Sequence, residues 1–277
     1  MAPSREEILA LATSDVRSAI PQETLLPLIT SPPFIPSKSL FNLRDVGAVP
    51  GSAIPAGRIF RTGALAQAAQ DSEALAWLQA NVKKIFDLRR GPEREAAPDP
   101  ELEGVENVWY ETEGKYPAPD LAAFAAADGS EAWADQLMTV ASSYKPVIRE
   151  LLWHVRDHPL EPFLFHCTAG RDRTGLVAGL LNQLAGTAQD DIVYDYLISR
   201  LGTEPVRDKL VNFALMSLGI DDIETPGFAN LVDLRAEYWV AFQTALQKEY
   251  GSWDGYVTKG LGFSAEDLET IKKNLRS

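Results

Sequence analysis

The chain has 277 residues, 45% of them hydrophobic, which is enough for one large domain around a continuous core. A net charge of −13 argues against general binding to nucleic acid or to anionic membranes. The single cysteine, Cys167, excludes an intramolecular disulfide framework and points to a reducing compartment.

In chain order, Ser4-Arg5-Glu6-Glu7 reads as a capping box opening a short helix over Ile8, Leu9 and Leu11. It lacks the basic-then-apolar pattern of an export signal, and no apolar run could cross a bilayer. The expected location is the cytoplasm, with no stable membrane insertion; export without an obvious signal stays open. Pro21 to Pro36 is proline-rich and reads as an extended connection. Asp71 caps a helix carrying Leu75, Trp77 and Leu78. Lys84-Ile85-Phe86-Asp87 looks like a strand running into the basic turn Leu88-Arg89-Arg90, and Val105 to Glu111 like another strand. Gly114 to Ser130 is rich in Ala, Pro and Gly, and Glu131 to His158 is helical up to Pro159. His154 and His158 have metal-ligand spacing but no adjoining acid cluster, so a solvent-facing pair and no metal are expected. Pro162-Phe163-Leu164-Phe165 is a buried strand ending at His166, and Thr174 to Leu184 a buried helix. Four helices follow, at about 189–201, 204–218, 230–250 and 264–275. Ser264 caps the last, which carries Leu268, Ile271 and Leu275 on one face; Tyr238, Phe242 and Tyr250 read as core packing.

Between that strand and helix runs His166-Cys167-Thr168-Ala169-Gly170-Arg171-Asp172-Arg173-Thr174-Gly175. Five residues between Cys167 and Arg173 let the backbone curl into a bowl whose N–H groups face a phosphate. The bowl feeds a helix N-terminus, which favours an anion. It resembles the loop of cysteine-dependent phosphatases. In such a loop the thiolate is the nucleophile, so Cys167 is expected to attack phosphorus and form a cysteinyl-phosphate. Arg173 grips two equatorial oxygens through its planar fork, a fit lysine lacks. Thr174 donates to the sulfur as it leaves, or is an N-cap, or both. Thr168, Ala169, Gly170, Arg171 and Asp172 complete the binding loop. Arg171 either reaches a second phosphate or is a solvated arginine. Asp172 is held by a neighbouring arginine or loop amide, or transfers a proton. His166 reads as a strand-end residue tying the loop to backbone. With no partner thiol in the chain, only a sulfenamide or a small-molecule thiol would guard Cys167 against over-oxidation.

The leaving oxygen needs an acid. The chain has no Trp-Pro-Asp; Trp133-Ala134-Asp135 imitates it, but within a helical run. Asp87 is the better candidate, because it ends a strand at the edge where open α/β sheets bind ligands. A plain Asp87–arginine ion pair is the competing reading.

Two further segments carry a family resemblance: Phe41-Asn42-Leu43-Arg44-Asp45-Val46-Gly47 and Pro55-Ala56-Gly57-Arg58-Ile59-Phe60-Arg61-Thr62-Gly63-Ala64-Leu65. They resemble the Asn-x-Arg-Asp-x-Gly and Gly-Arg-x-x-Arg-Ser signatures of the Tyr-phosphatase-3 family, bacterial and fungal tyrosine or dual-specificity phosphatases including secreted PtpB-type enzymes. That family's loop has lysine where this chain has Arg171. Arg235-Ala236-Glu237-Tyr238 and Tyr250 to Tyr256 resemble its tail, so the likeness spans residues 38 to 275.

The resemblance implies an α/β cysteine-phosphatase fold: a central, mainly parallel sheet flanked by helices, plus a helical lid insertion and a helical C-terminal region. One domain would fill residues 1–277, with an N-terminal helix and extended segment to 37, a catalytic core 38–187 and a helical part 188–277. A mobile cover is expected within 113–145. The likeness implies no metal, no organic cofactor and Asp87 as the acid. The implied substrates are phosphotyrosine proteins, with phosphoserine, phosphothreonine and phosphoinositides as further ones; nucleic acid is not a partner. Arg44, Asp45 and Arg61 match positions that brace the loop, and Arg44 and Arg61 are placed among the substrate-binding residues. A hairpin-edge ion-pair network without ligand contact explains them equally well. Three other functions fit less well. A dead phospho-binding module would not need both Cys167 and Arg173, a rhodanese-type loop is shorter by one residue, and an arsenate reductase needs further thiols.

Overall fold

In the computed structural model, which describes residues 3–114 and 117–277, five short strands form one sheet. They are β1 (Arg44–Asp45), β2 (Ile59–Thr62), β3 (Lys84–Asp87), β4 (Glu106–Trp109) and β5 (Phe163–His166). The order is β1-β2-β5-β3-β4; β1 runs antiparallel to β2 and every other pairing is parallel. A parallel strand is covered on both faces, so its sequence is apolar throughout rather than alternating. In β5, Phe163 and Phe165 pack into the larger core with Phe86, while Leu164 faces the opposite cluster with Phe60 and Ile85. The register places Thr62, His166, Asp87 and Trp109 in one row at the C-terminal edge. The loop leaves the central strand at that row, as expected for an α/β ligand site.

Capping residues set the helix ends where the sequence indicates. Ser4 and Glu7 form the capping box of helix Arg5–Ala12, Asp71 accepts from the amides of Glu73 and Ala74, and Ser264 caps helix Ala265–Leu275. Several segments differ from expectation, three of them in ways the packing explains. The connection over 21–36 contains a helix, Gln22–Ile29, with Pro27 inside it. Burial of Leu25 and packing of Leu28 and Ile29 on the core outweigh the lost backbone bond. The helical run 131–158 is two helices, Ser130–Ser143 and Lys145–Asp157, broken at Tyr144, with Pro146 in a first-turn position that needs no N–H. The run 230–250 divides into Phe228–Val232 and Ala236–Tyr250; between them Asp233 accepts from the Val16 amide at 2.8 Å.

Helix Ser130–Ser143 buries Trp133, Leu137 and Val140, and Trp133 stacks on Tyr238 of helix Ala236–Tyr250. That half of the expected cover is therefore core, although Trp133 and Gln136 also line the cavity above Cys167, as do Pro117–Pro119. Lys115 and Tyr116, within the same expected cover, lie outside the described residues. His154 is not solvent-facing: it is buried between Phe86 and Phe163, with Nε2 3.2 Å from the Glu161 carbonyl. Among the described residues no helix is long and apolar enough to cross a membrane.

Candidate active site

The loop is shaped by where its carbonyls go. The Thr168 carbonyl accepts from the Ala64 amide at 3.1 Å and that of Arg171 from the Gly175 amide at 2.6 Å. The Gly170 carbonyl accepts from both Asn42 Nδ2 and Arg61 Nη2 at 2.9 Å. With these carbonyls held outward, no acceptor among the described residues takes the N–H groups of Thr168, Ala169, Gly170 or Arg171. A ring of N–H groups left without acceptors is a geometry suited to an anion. Gly170 is required twice over: its φ is +67°, and a Cβ there would lie 2.5 Å from the Thr62 carbonyl oxygen. Helix Asp172–Ala185 starts inside the loop, two residues earlier than the sequence indicates, so its N-terminal dipole faces the same point.

Arg44 and Arg61 correct the sequence reading. Both are fully buried behind the loop and neither lines the cavity, so they cannot touch substrate. Asp195 joins them, accepting from Arg44 Nε at 2.7 Å and Arg61 Nη1 at 2.6 Å. Arg44 also donates to Asn42 Oδ1 and to Ser199 Oγ. Burial alone would raise the Asp195 carboxyl, but the two guanidinium groups hold it below the usual aspartate range. Asp45 accepts from the amides of Gly47 and Gly57, closing the hairpin turn. The Asn-x-Arg-Asp-x-Gly signature is thus a brace for the Gly170 carbonyl.

Asp87 is also placed differently. It is 3% exposed, pairs with Arg89 through both oxygens at 2.8 Å, and does not line the cavity. Arg89 Nη2 also reaches Asp99 at 2.8 Å, and Asp99 accepts from His166 Nε2 at 2.9 Å. Burial alone would push the His166 ring toward neutrality; Asp99 and then Asp87 outweigh it and raise the histidine above its ordinary value. Asp87, Asp99 and His166 come close enough to hold a cation. Arg89 already sits between the two carboxylates and supplies that charge. The cluster ties strand ends together and fixes His166, the residue before Cys167.

Cys167 is 1% exposed, at the floor of a cavity of about 320 Å³. Thr168, Ala169, Arg171, Asp172 and Arg173 line the same cavity, and Arg90 and Arg207 stand on its walls. An apolar side is formed by Pro117–Pro119, Trp133, Leu210, Phe213 and Leu231. Arg171 is buried rather than solvated, donating to the Val232 carbonyl at 2.7 Å. Thr174 Oγ1 is buried without a hydrogen-bond partner, so its proton is not committed elsewhere. Asp135 is absent from the cavity wall.

Glu93, from the short helix Gly91–Ala96, was not legible as a site residue. Its carboxylate accepts from Arg173 Nη1 at 2.9 Å and Nη2 at 2.8 Å, and from the Thr168 hydroxyl. Burial alone would raise the Glu93 carboxyl, yet Arg173 holds it far below the usual range. In turn burial would lower the Arg173 guanidinium, but Cys167 and then Glu93 hold it well above its ordinary value. The pair uses the Nη1–Nη2 edge of the fork, which leaves the Nε–Nη2 edge for phosphate. Glu93→Gln is expected to lower kcat/KM and vanadate affinity together, by about ten- to a hundredfold. Unchanged vanadate affinity would mean that Arg173 keeps its orientation without Glu93. The one signal in sequence was the acid three residues after Arg90 at a Gly-Pro helix start.

A sulfur nucleophile beneath a ring of amides and an oriented arginine defines a cysteine-dependent phosphomonoester hydrolase. Comparison with known proteins agrees. The sequence profile described as "Tyrosine phosphatase family" matches residues 35–277. A tyrosine-protein phosphatase of Nostoc commune is 31% identical over 232 residues, covering 81% of this chain and 76% of that protein. A protein of Cupriavidus necator that carries a tyrosine-protein-phosphatase name is 30% identical over 254 residues, covering 83% and 85%. The triple specificity protein phosphatase PtpB of Mycobacterium tuberculosis is 34% identical over 103 residues, covering 35% and 37%. The chain belongs to the tyrosine phosphatase family.

Proposed function

We propose that this chain hydrolyses aryl phosphate monoesters, phosphotyrosine in proteins foremost. The observation that carries this reading is the depth of the nucleophile: Cys167 is almost fully buried beneath a cavity with one apolar side. A phosphate on a long, flat, apolar stem reaches such a floor, whereas the short stem of phosphoserine brings its backbone against the rim. Cys167 Sγ attacks phosphorus, Arg173 and the loop amides take the developing charge, and the tyrosyl oxygen leaves with a proton. Water then attacks the phosphocysteine while Thr174 donates to the departing sulfur. Arg90, Arg171 and Arg207 around the same cavity favour a second reading, a phosphoinositide or inositol phosphate.

We assign the leaving-group proton to Asp172. It lines the cavity beside Arg173 and its side chain is 30% exposed, whereas Asp87 is enclosed by Arg89. Asp172→Asn is expected to slow a poor aryl leaving group by about a hundredfold and an activated nitrophenyl ester far less. Asp87→Asn is expected to slow both alike, through disorder of the strand ends. The reverse pattern would return the role to Asp87. The substrate itself is tested by turnover of phosphotyrosine peptide, phosphoserine peptide and a phosphoinositide panel in EDTA. Phosphotyrosine ranking first supports the reading; turnover of inositol lipids alone overturns it.

A further inference from the structure

The loop glycine after Thr174 has a packing partner that suggests a role for a tyrosine outside the loop. Tyr196, on helix Gln189–Leu197, is fully buried, and its Cδ2 lies 3.1 Å from where a Cβ on Gly175 would stand. Gly175 and Asp172 are three apart on one helix and so share a face. A tyrosine ring lying over Gly175 can therefore direct its hydroxyl along that face toward Asp172. Two atoms there lack a protein hydrogen-bond partner: Tyr196 OH, a buried donor, and Asp172 Oδ1, a buried acceptor. The nearest arginine nitrogen, Arg171 Nη2, is 3.7 Å from Asp172 Oδ1, beyond hydrogen-bond reach. After burial, the Asp172 carboxylate is the foremost influence raising the Tyr196 phenol, which fits their proximity.

We propose that Tyr196 is a positioning residue for Asp172: its hydroxyl donates to Oδ1 through one shared water and so turns Oδ2 toward the leaving oxygen. A buried phenol and a buried carboxylate oxygen are each costly to leave unpaired, and each is the complement of the other. Gly175 then serves Tyr196, since any larger residue there would push the ring away. This rests on Asp172 as the proton donor.

The experiment is a double-mutant cycle of Tyr196→Phe and Asp172→Asn, which keeps both side-chain shapes. Each variant is assayed on a phosphotyrosine peptide and on an activated nitrophenyl ester. Tyr196→Phe is expected to lower kcat on the peptide about tenfold, the worth of one buried hydrogen bond. KM and the rate on the activated ester should stay near wild type, and adding the change to Asp172→Asn should cost nothing more. An equal loss on both substrates, or full additivity with Asp172→Asn, would overturn the proposal while leaving Asp172 as the acid. If Asp172→Asn alone shows no leaving-group preference, the assignment of the acid fails first and the proposal with it.

Discussion

Cys167→Ser is expected to lower turnover by on the order of 10⁵-fold while leaving substrate binding intact. The amide bowl is held by carbonyl contacts to Ala64, Asn42, Arg61 and Gly175, none of which involves the sulfur. Serine fits the same space at the floor, and Arg173 keeps its bidentate partner Glu93. What is lost is the sulfur nucleophile beside Arg173, for which a serine hydroxyl is a far weaker substitute near neutral pH. The check is single-turnover hydrolysis of phosphotyrosine peptide together with a binding isotherm on the variant. Residual activity within about a hundredfold of wild type would contradict a cysteine nucleophile.

Asp195→Ala is expected to be among the most destabilising single changes in the chain. It leaves Arg44 and Arg61, both fully buried, without the carboxylate that neutralises them. Breaking a buried ion pair by removing one partner costs about 3–5 kcal/mol, which lowers Tm by on the order of 10 °C in a domain of this size. Activity should fall further than stability alone accounts for, because Arg61 would no longer hold the Gly170 carbonyl outward. The pH dependence has a definite sign. The Asp195 carboxyl is depressed in the fold. Its contribution is therefore complete above the ordinary aspartate range and is lost as acid protonates it below that range. The variant's stability should respond less to acid than that of wild type. A thermal melt at neutral pH and one in acid measure both effects; an unshifted melt would show that the arginines are neutralised by other groups.

The loop decapeptide was legible because its chemistry is local. A nucleophile, a phosphate-binding arginine and a bowl between strand and helix need only a few contiguous residues, and no other cysteine competes for the role. Arg44 and Arg61 were read both as braces of the loop and as substrate-binding residues, since spacing does not say which side of a loop a side chain approaches. Asp87 shows the same limit: its position at a strand end is correct, but its partner Arg89 turns it away from the cavity. The helix Gln22–Ile29 was hidden by Pro27, whose local cost is overridden by burial of Leu25.

The amino-acid sequence by itself determined the class of chemistry, the loop between strand and helix that carries it, and the helix caps at Ser4, Asp71 and Ser264. Each of these is encoded within one turn, one strand or one loop. Only the tertiary structure decided which acids serve the site. Glu93, Asp99 and Asp195 are three of the chain's 39 acidic residues, and no local pattern assigns any of them to the site. They acquire roles because the fold brings each against a basic side chain: Arg173, His166 or the Arg44–Arg61 pair. A buried charge must be paired, and which residue pairs it is a matter of three-dimensional proximity.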